Sequence, residues 1–188
     1  MYNRSLTTVL LLAGVGLAAP PLSPELGRGA REKIERIEQR RLEPGETIVF
    51  TEDELNSLLK YEYAAEMPQG VRDAVVRLTA ERATIRAYLD IGKLQEASGG
   101  SFSGLWAMLF QGEKELVSQC RAFSGMGRAY VEVESVTFDG TPLPAPLLKW
   151  LISATVTDAD PGERNRVTLP DSLRELRIAP DGVVVVAN

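Results

Sequence analysis

The 188-residue chain contains no histidine and a single cysteine, Cys120. Without histidine, it lacks the commonest general base and metal ligand of proteins, and it cannot build a Ser-His-Asp or Cys-His catalytic device. One cysteine can form neither an internal disulfide nor a cysteine-rich zinc site. The sequence therefore predicts no catalytic residues, no metal site and no cofactor, and we expect a protein that is not an enzyme.

Positive charge is also scarce. The net charge is −5, with 21 lysines and arginines against 26 aspartates and glutamates. The densest group of cations, Arg36 to Arg41, is interleaved with acidic residues. Nucleic-acid binding usually requires a basic face that displaces counterions from phosphate, so no nucleic-acid partner is expected. Hydrophobic residues make up 44% and charged residues 25% of the chain, which is typical of a packed globular protein.

The amino terminus has the three-part pattern of a secretory signal. Arg4 precedes a largely apolar run of about 14 residues, Leu6 to Ala19, which ends with small residues that include Gly16 and Ala18. A membrane helix needs roughly 20 apolar residues, so this run is short for one. We predict a signal peptide over residues 1–18 and an exported protein that is periplasmic or otherwise extracytoplasmic, with membrane association left open. An uncleaved anchor and a buried helix of a cytosolic domain are the alternatives.

Residues 19–46 are predicted to form a proline-rich exit and a surface helix. Prolines disfavour helix just after the signal, and a helical pattern then runs from Glu25 to Leu42. Its apolar stripe is narrow, which is typical of a helix on the surface of a domain or of a spacer. Pro44-Gly45 ends the pattern.

Residues 47–188 are predicted to form a single α+β domain. Thr47 to Phe50 reads as a strand, and Thr51 with Glu54 forms a capping box for the helix that follows. The carboxyl-terminal strands are predicted at residues 173–178 and 183–186, as a hairpin around Asp181-Gly182. We expect a curved antiparallel sheet with helices packed on its apolar face.

Strict alternation marks the clearest strand of the chain. The residues predicted to face the core are Ala83, Ile85, Ala87 and Leu89, whereas Arg86 and Asp90 are predicted to face water. Further strands are expected at residues 115–123 and 126–138. The second of them changes phase near Ser135, which predicts a β-bulge.

Acidic residues offer no clear catalytic or metal pattern. The acids around Glu52 are explained by the helix cap, and those between Asp158 and Glu163 lack the remaining ligands of a calcium loop. Glu132 and Glu134 are predicted to form cross-strand ion pairs on a wet face. Cys120 is predicted to be a buried structural thiol. A hydrolase with paired carboxylates therefore has little support.

One segment between the strands combines large apolar side chains with glycine-rich flanks. Its apolar residues are Leu105, Trp106, Met108, Leu109 and Phe110. Together with Trp150 from a second apolar segment, they are the candidate ligand-binding residues. A short core helix that closes the sheet and a mobile apolar lid or lip that contacts lipid are both compatible with the pattern.

The order of these motifs resembles a known group of proteins. The resemblance rests on Thr51-Glu52-x-Glu54-Leu55-Asn56, on Ser135 to Gly140, on Pro144 and on Leu169-Pro170. In these features the chain is similar to small bacterial envelope proteins related to the tubular lipid-binding superfamily, including those of the lipomannan-elongation-factor type. The resemblance implies a curved antiparallel sheet around a helix, with an apolar groove that holds acyl chains.

Two functions follow as expectations. The first is a non-catalytic cell-envelope protein that binds a lipid or another apolar ligand in a groove between sheet and helices. The second is a structural or protein-interaction module of the envelope, in which the helices fill that groove. The expected partners are accordingly a lipid or a membrane surface in the first case and an envelope protein in the second.

Overall fold

The computed structural model describes residues 22–67, 69–90, 92–93, 96, 112–125, 128–144, 166–168 and 171–188. Within these ranges the chain forms helices and two antiparallel sheets, so the predicted α+β class is confirmed. The helices are α1 (Pro24–Glu38) and α2 (Glu52–Ser57), and α2 continues into a π-helical turn (Leu58–Glu62). The strands are β1 (Thr47–Phe50), β2 (Val71–Thr79), β3 (Arg82–Asp90), β4 (Glu113–Gly125), β5 (Arg128–Phe138), β6 (Thr141–Pro142), β7 (Arg166–Thr168), β8 (Leu173–Ala179) and β9 (Gly182–Ala187). The predicted signal peptide lies outside the described residues.

Helix α1 begins where the sequence indicates but ends earlier. The Ser23 hydroxyl accepts a hydrogen bond from a backbone N–H of the first turn at 3.3 Å and so caps the helix. The predicted end at Leu42 is wrong, because the helix ends at Glu38. Arg40 follows in the left-handed conformation, with a φ of 52°, and the chain turns away there.

Helix α2 starts with the predicted capping box. The Thr51 hydroxyl accepts from the Glu54 backbone N–H, and the Glu54 carboxylate accepts from the Thr51 N–H. The same carboxylate forms an ion pair with the Lys33 ammonium of α1, with an N–O distance of 2.6 Å. The capping box therefore also ties the two helices together.

The larger sheet has the strand order β2-β3-β4-β5-β6, with β7 paired to β5. The predicted alternation along β3 is confirmed for Ala83, Ala87 and Leu89, which are buried, and for Arg86, which is exposed, whereas Ile85 and Asp90 are only partly buried. The predicted bulge is confirmed as well. Gln119 pairs with Ser135 but Cys120 pairs with Val133, so β5 carries one extra residue at Glu134, next to the predicted position.

The wet face of the large sheet is a ladder of ion pairs, as the sequence indicates. Arg82 contacts Glu134 at 2.8 Å, and Arg121 contacts Glu132 at 2.9 Å. The hydrogen bond from Arg82 lowers the pKa of Glu134 below its ordinary value. These pairs are exposed, so each contributes little to stability. Within each pair, the arginine and the glutamate neutralise each other's charge.

The smaller sheet has the order β1-β9-β8. The sequence predicts an antiparallel sheet, and the structure divides the antiparallel strands between this sheet and the larger one. Thr47 pairs with Val186 and Phe50 pairs with Val183, so β1 joins the carboxyl-terminal hairpin rather than the neighbouring β2. Alternation indicates which face of a strand is dry but not which strand it pairs with. The division into two sheets therefore cannot be predicted from the pattern.

The main core lies between the helices and the small sheet. Ala30 of α1 is fully buried and shares a cluster with Phe50, Leu58 and Leu176. Ala122 from β4 packs against the same cluster, so the large sheet also contributes to this core.

A second cluster covers the other half of the large sheet's apolar face. It comprises Ala87, Leu89, Val136 and Phe138, all of them buried. Of the described residues, those packed against it come from the large sheet and from Leu143, and none belongs to a helix or to the small sheet. Among the described residues, α1 and α2 therefore contact only one half of the large sheet.

Side chains close the exposed edges of two strands. Lys33 donates to the Val49 carbonyl of β1 at 2.7 Å, and Glu52 accepts from the Leu78 N–H of β2 at 2.7 Å. On the same strand β2, the Asn56 side chain donates to the Val76 carbonyl and accepts from the Val76 N–H. Backbone groups that could pair with another chain are thereby satisfied within the fold.

Candidate functional site

The residues that the sequence singles out for ligand binding all lie outside the described residues. They are Leu105, Trp106, Met108, Leu109, Phe110 and Trp150. Their assignment stays a prediction, and the described residues offer a different candidate site.

This site forms where the edge of β8 meets the large sheet. The Ser124 hydroxyl of β4 accepts a hydrogen bond from the Leu176 N–H at 2.9 Å and donates to the Leu176 carbonyl at 3.3 Å. The backbone N–H of Glu81, in the turn between β2 and β3, donates to the Ile178 carbonyl at 3.1 Å. Hydrogen bonds thus join β8 to the large sheet at two points, Leu176 and Ile178.

An open cleft of about 640 Å³ lies at this junction. Its apolar lining comes from Ala122 of β4 and from Leu176 and Ile178 of β8. Small-molecule sites typically occupy about 300–1,000 Å³ and combine an apolar lining with a few polar groups. The volume of the cleft lies in this range, whereas most of its lining residues are polar or charged.

Charged side chains surround the apolar lining. Glu81 and Arg121 line the cleft from the large sheet, and Glu175 and Arg177 line it from β8. Arg121 is already paired, with Glu132 on the neighbouring strand. The other three charged groups of the cleft have no ion-pair partner among the described residues.

Cys120 lies near the cleft in sequence but does not line it. The thiol is buried, as the sequence predicts, and its sulfur lies 3.6 Å from the Ser118 hydroxyl. Burial raises the pKa of Cys120, so the nucleophilic thiolate is disfavoured at neutral pH. Cys120 therefore packs as a small apolar side chain.

The described residues do not bring together a metal site. Across these ranges, no group of three or more histidine, cysteine, aspartate or glutamate side chains could hold a metal ion. No helix in the described part of the chain is long and apolar enough to span a membrane. The chemistry that the cleft offers is apolar contact at its lining and charge recognition at its rim.

Sequence reasoning misses this cleft because both sheets contribute to it. Leu176 and Ile178 are correctly predicted to lie on a strand, but nothing local indicates that β8 is an edge. Ser124 offers one signal, since it is a hydroxyl at the end of the apolar face that includes Cys120 and Ala122. A polar group on a dry face needs a hydrogen-bond partner, which here is the backbone of β8.

Comparison of the chain with protein-family models, with curated proteins and with solved structures yields no match. The resemblance to tubular lipid-binding envelope proteins therefore stays a prediction, and the geometry of the described residues supports the functional proposal.

Proposed function

We propose that this chain is an exported, non-catalytic protein of the cell envelope that binds a lipid or another apolar ligand. The cleft between the two sheets is the observation that carries the proposal. It is open, it measures about 640 Å³, and its apolar lining comes from Ala122, Leu176 and Ile178. The export signal in the sequence gives such a protein access to envelope lipids.

The physical basis of binding would be the removal of apolar surface from water. Each methylene group buried in the cleft would contribute about 0.8 kcal/mol. About five such groups would supply roughly 4 kcal/mol, before the entropic cost of association is subtracted. No bond is made or broken in this function, and the protein would hold and shield its ligand.

A specific observation also favours the second candidate, a structural or protein-interaction module. The core between the helices and the small sheet is closed, with Ala30, Phe50 and Leu58 all buried. The described helices therefore fill the space where a groove between sheet and helices would lie. In this case the cleft would be a surface feature, and the partner would be an envelope protein.

Native mass spectrometry of protein purified from its own envelope separates the two candidates. We expect the wild-type protein to carry a copurified lipid. Ala122→Leu should reduce the lipid-bound fraction several-fold, because the larger side chain fills part of the cleft. Ala74→Leu is the matched control, since Ala74 lies on the same sheet and packs against the second cluster.

Melting temperatures of both variants without lipid show whether either substitution simply unfolds the protein. Equal loss of lipid in both variants, at unchanged stability, would remove the cleft as the binding site. A wild-type protein that carries no lipid but copurifies with one envelope protein would support the interaction module instead.

A further inference from the structure

The cleft contains charges of both signs that form no ion pair with the described residues. Arg121 is held by Glu132 at 2.9 Å, with Glu134 further away at 3.7 Å. Glu81 and Arg177 have no ion-pair partner among the described residues. By contrast, Arg72, Arg82 and Arg86 of the large sheet are each paired with a carboxylate. Glu175 and Arg177 are therefore distinct from the ion-pair ladder, whereas the charge of Glu81 contributes to the raised pKa of Arg82, a member of that ladder.

Two of these charges are spaced along one strand. Glu175 and Arg177 are separated by one residue on β8, where they pair with Val186 and Val184 of β9 in regular register. Side chains two residues apart share a face and are separated by roughly 6.6 Å along the strand. A carboxylate and a guanidinium thus lie side by side at the rim, on the face of β8 opposite to the Leu176 side chain.

We infer that the ligand of this cleft is an amphiphile whose head carries an ammonium group and a phosphate or carboxylate. This inference rests on the proposed function. A purely anionic head would meet the unpaired carboxylates of Glu81 and Glu175, against the single unpaired guanidinium of Arg177. A purely cationic head would leave that guanidinium without a partner. A zwitterionic head satisfies both signs, since guanidinium pairs well with phosphate or carboxylate and the carboxylates attract the positive charge of the ammonium group.

Four twelve-carbon amphiphiles provide the test, because they share the chain length and differ in the charge of the head. Dodecylphosphocholine is zwitterionic, dodecanoate is anionic, dodecyltrimethylammonium is cationic and dodecyl maltoside is uncharged. Each is titrated below its critical micelle concentration by isothermal calorimetry. We expect dodecylphosphocholine to bind about tenfold more tightly than dodecanoate, because its ammonium group attracts the carboxylates that repel a purely anionic head.

Two arginines of β8 provide matched variants. Arg177→Gln should weaken dodecylphosphocholine binding about tenfold while leaving dodecyltrimethylammonium binding unchanged or tighter. Arg174→Gln should change neither, because Arg174 is exposed on the same strand but does not line the cleft. Both positions are exposed, and equal melting temperatures of the two variants would show that the fold is retained.

The outcomes separate this inference from the proposed function. If none of the four amphiphiles binds, the apolar-ligand function itself fails. If all four bind with equal affinity, or if dodecanoate binds most tightly, the apolar site stands and the inference of a zwitterionic head group is overturned. An unchanged affinity of Arg177→Gln for dodecylphosphocholine would overturn it as well.

Discussion

Gly27→Ala is expected to destabilise the protein by about 1–3 kcal/mol, although glycine-to-alanine changes inside helices normally stabilise them by up to about 1 kcal/mol. A Cβ at position 27 would lie 2.9 Å from the Ser57 carbonyl oxygen and 3.1 Å from the Ser57 carbonyl carbon. These are backbone atoms of α2, and Ser57 is fully buried, so they cannot shift without disturbing the surrounding core. Helix α1 would have to move away from the core.

Gly29→Ala on the same helix is the matched control. No atom lies within 4 Å of a Cβ built at Gly29, so only the gain in helix propensity applies there. We expect this variant to be more stable than the wild type by about 0.5–1 kcal/mol. Urea unfolding of both variants measures the difference. Equal free energies of unfolding would show that α1 does not pack as closely on α2 as the structure has it.

Asn56→Asp is expected to cost roughly 3 kcal/mol at neutral pH, despite the nearly identical shape of the side chain. The Asn56 amide donates to the Val76 carbonyl at 2.9 Å, and its oxygen accepts from the Val76 N–H at 2.7 Å. Only 7% of Asn56 is exposed. An ionised carboxylate would keep the second hydrogen bond but would place a charged oxygen against the Val76 carbonyl, in a poorly solvated position.

The pH dependence of this loss has a defined sign. Burial and the facing carbonyl would raise the pKa of the introduced carboxyl above the value of about 3.9 that it has in the unfolded chain. The neutral carboxyl can donate a hydrogen bond to the Val76 carbonyl, as the Asn56 amide does in the wild type. The loss of unfolding free energy relative to the wild type should therefore shrink as the pH falls toward 4 and grow as the pH rises through the raised pKa. Urea unfolding at pH 4 and pH 7 measures both values.

Asn188→Asp is the control for this variant, because the Asn188 amide donates to the Asp171 carbonyl at 2.8 Å from an exposed position. Asn188→Asp should lower the free energy of unfolding by less than about 1 kcal/mol at either pH. Equal costs at positions 56 and 188 would mean that the edge of β2 does not depend on Asn56.

Local chemistry makes much of the fold predictable. The capping box at Thr51, the alternation along β3 and the bulge beside Ser135 each depend on residues close together in sequence, and each is confirmed. The early end of α1 escapes prediction because Arg40 adopts a left-handed conformation that is more typical of glycine.

Long-range contacts account for what the sequence does not reveal. The pairing of β1 with β9 joins nearly opposite ends of the described chain, and no periodicity encodes it. Asn56 belongs to a sequence motif that indicates no structural role for it, since its partner Val76 lies on another element. The cleft depends on the same kind of contact, because Ser124 holds the edge of β8 only once the two sheets have formed.

The central claim, that an apolar ligand occupies the cleft between the sheets, is tested most directly by photolabelling. A dodecyl chain that carries a diazirine and a phosphocholine head would be irradiated with the intact protein, and the labelled peptides would be mapped by mass spectrometry. The account predicts saturable labelling at Ala122, Leu176 or Ile178 that excess dodecylphosphocholine suppresses. Labelling that does not saturate, or that lies only on peptides remote from β4 and β8, would contradict it.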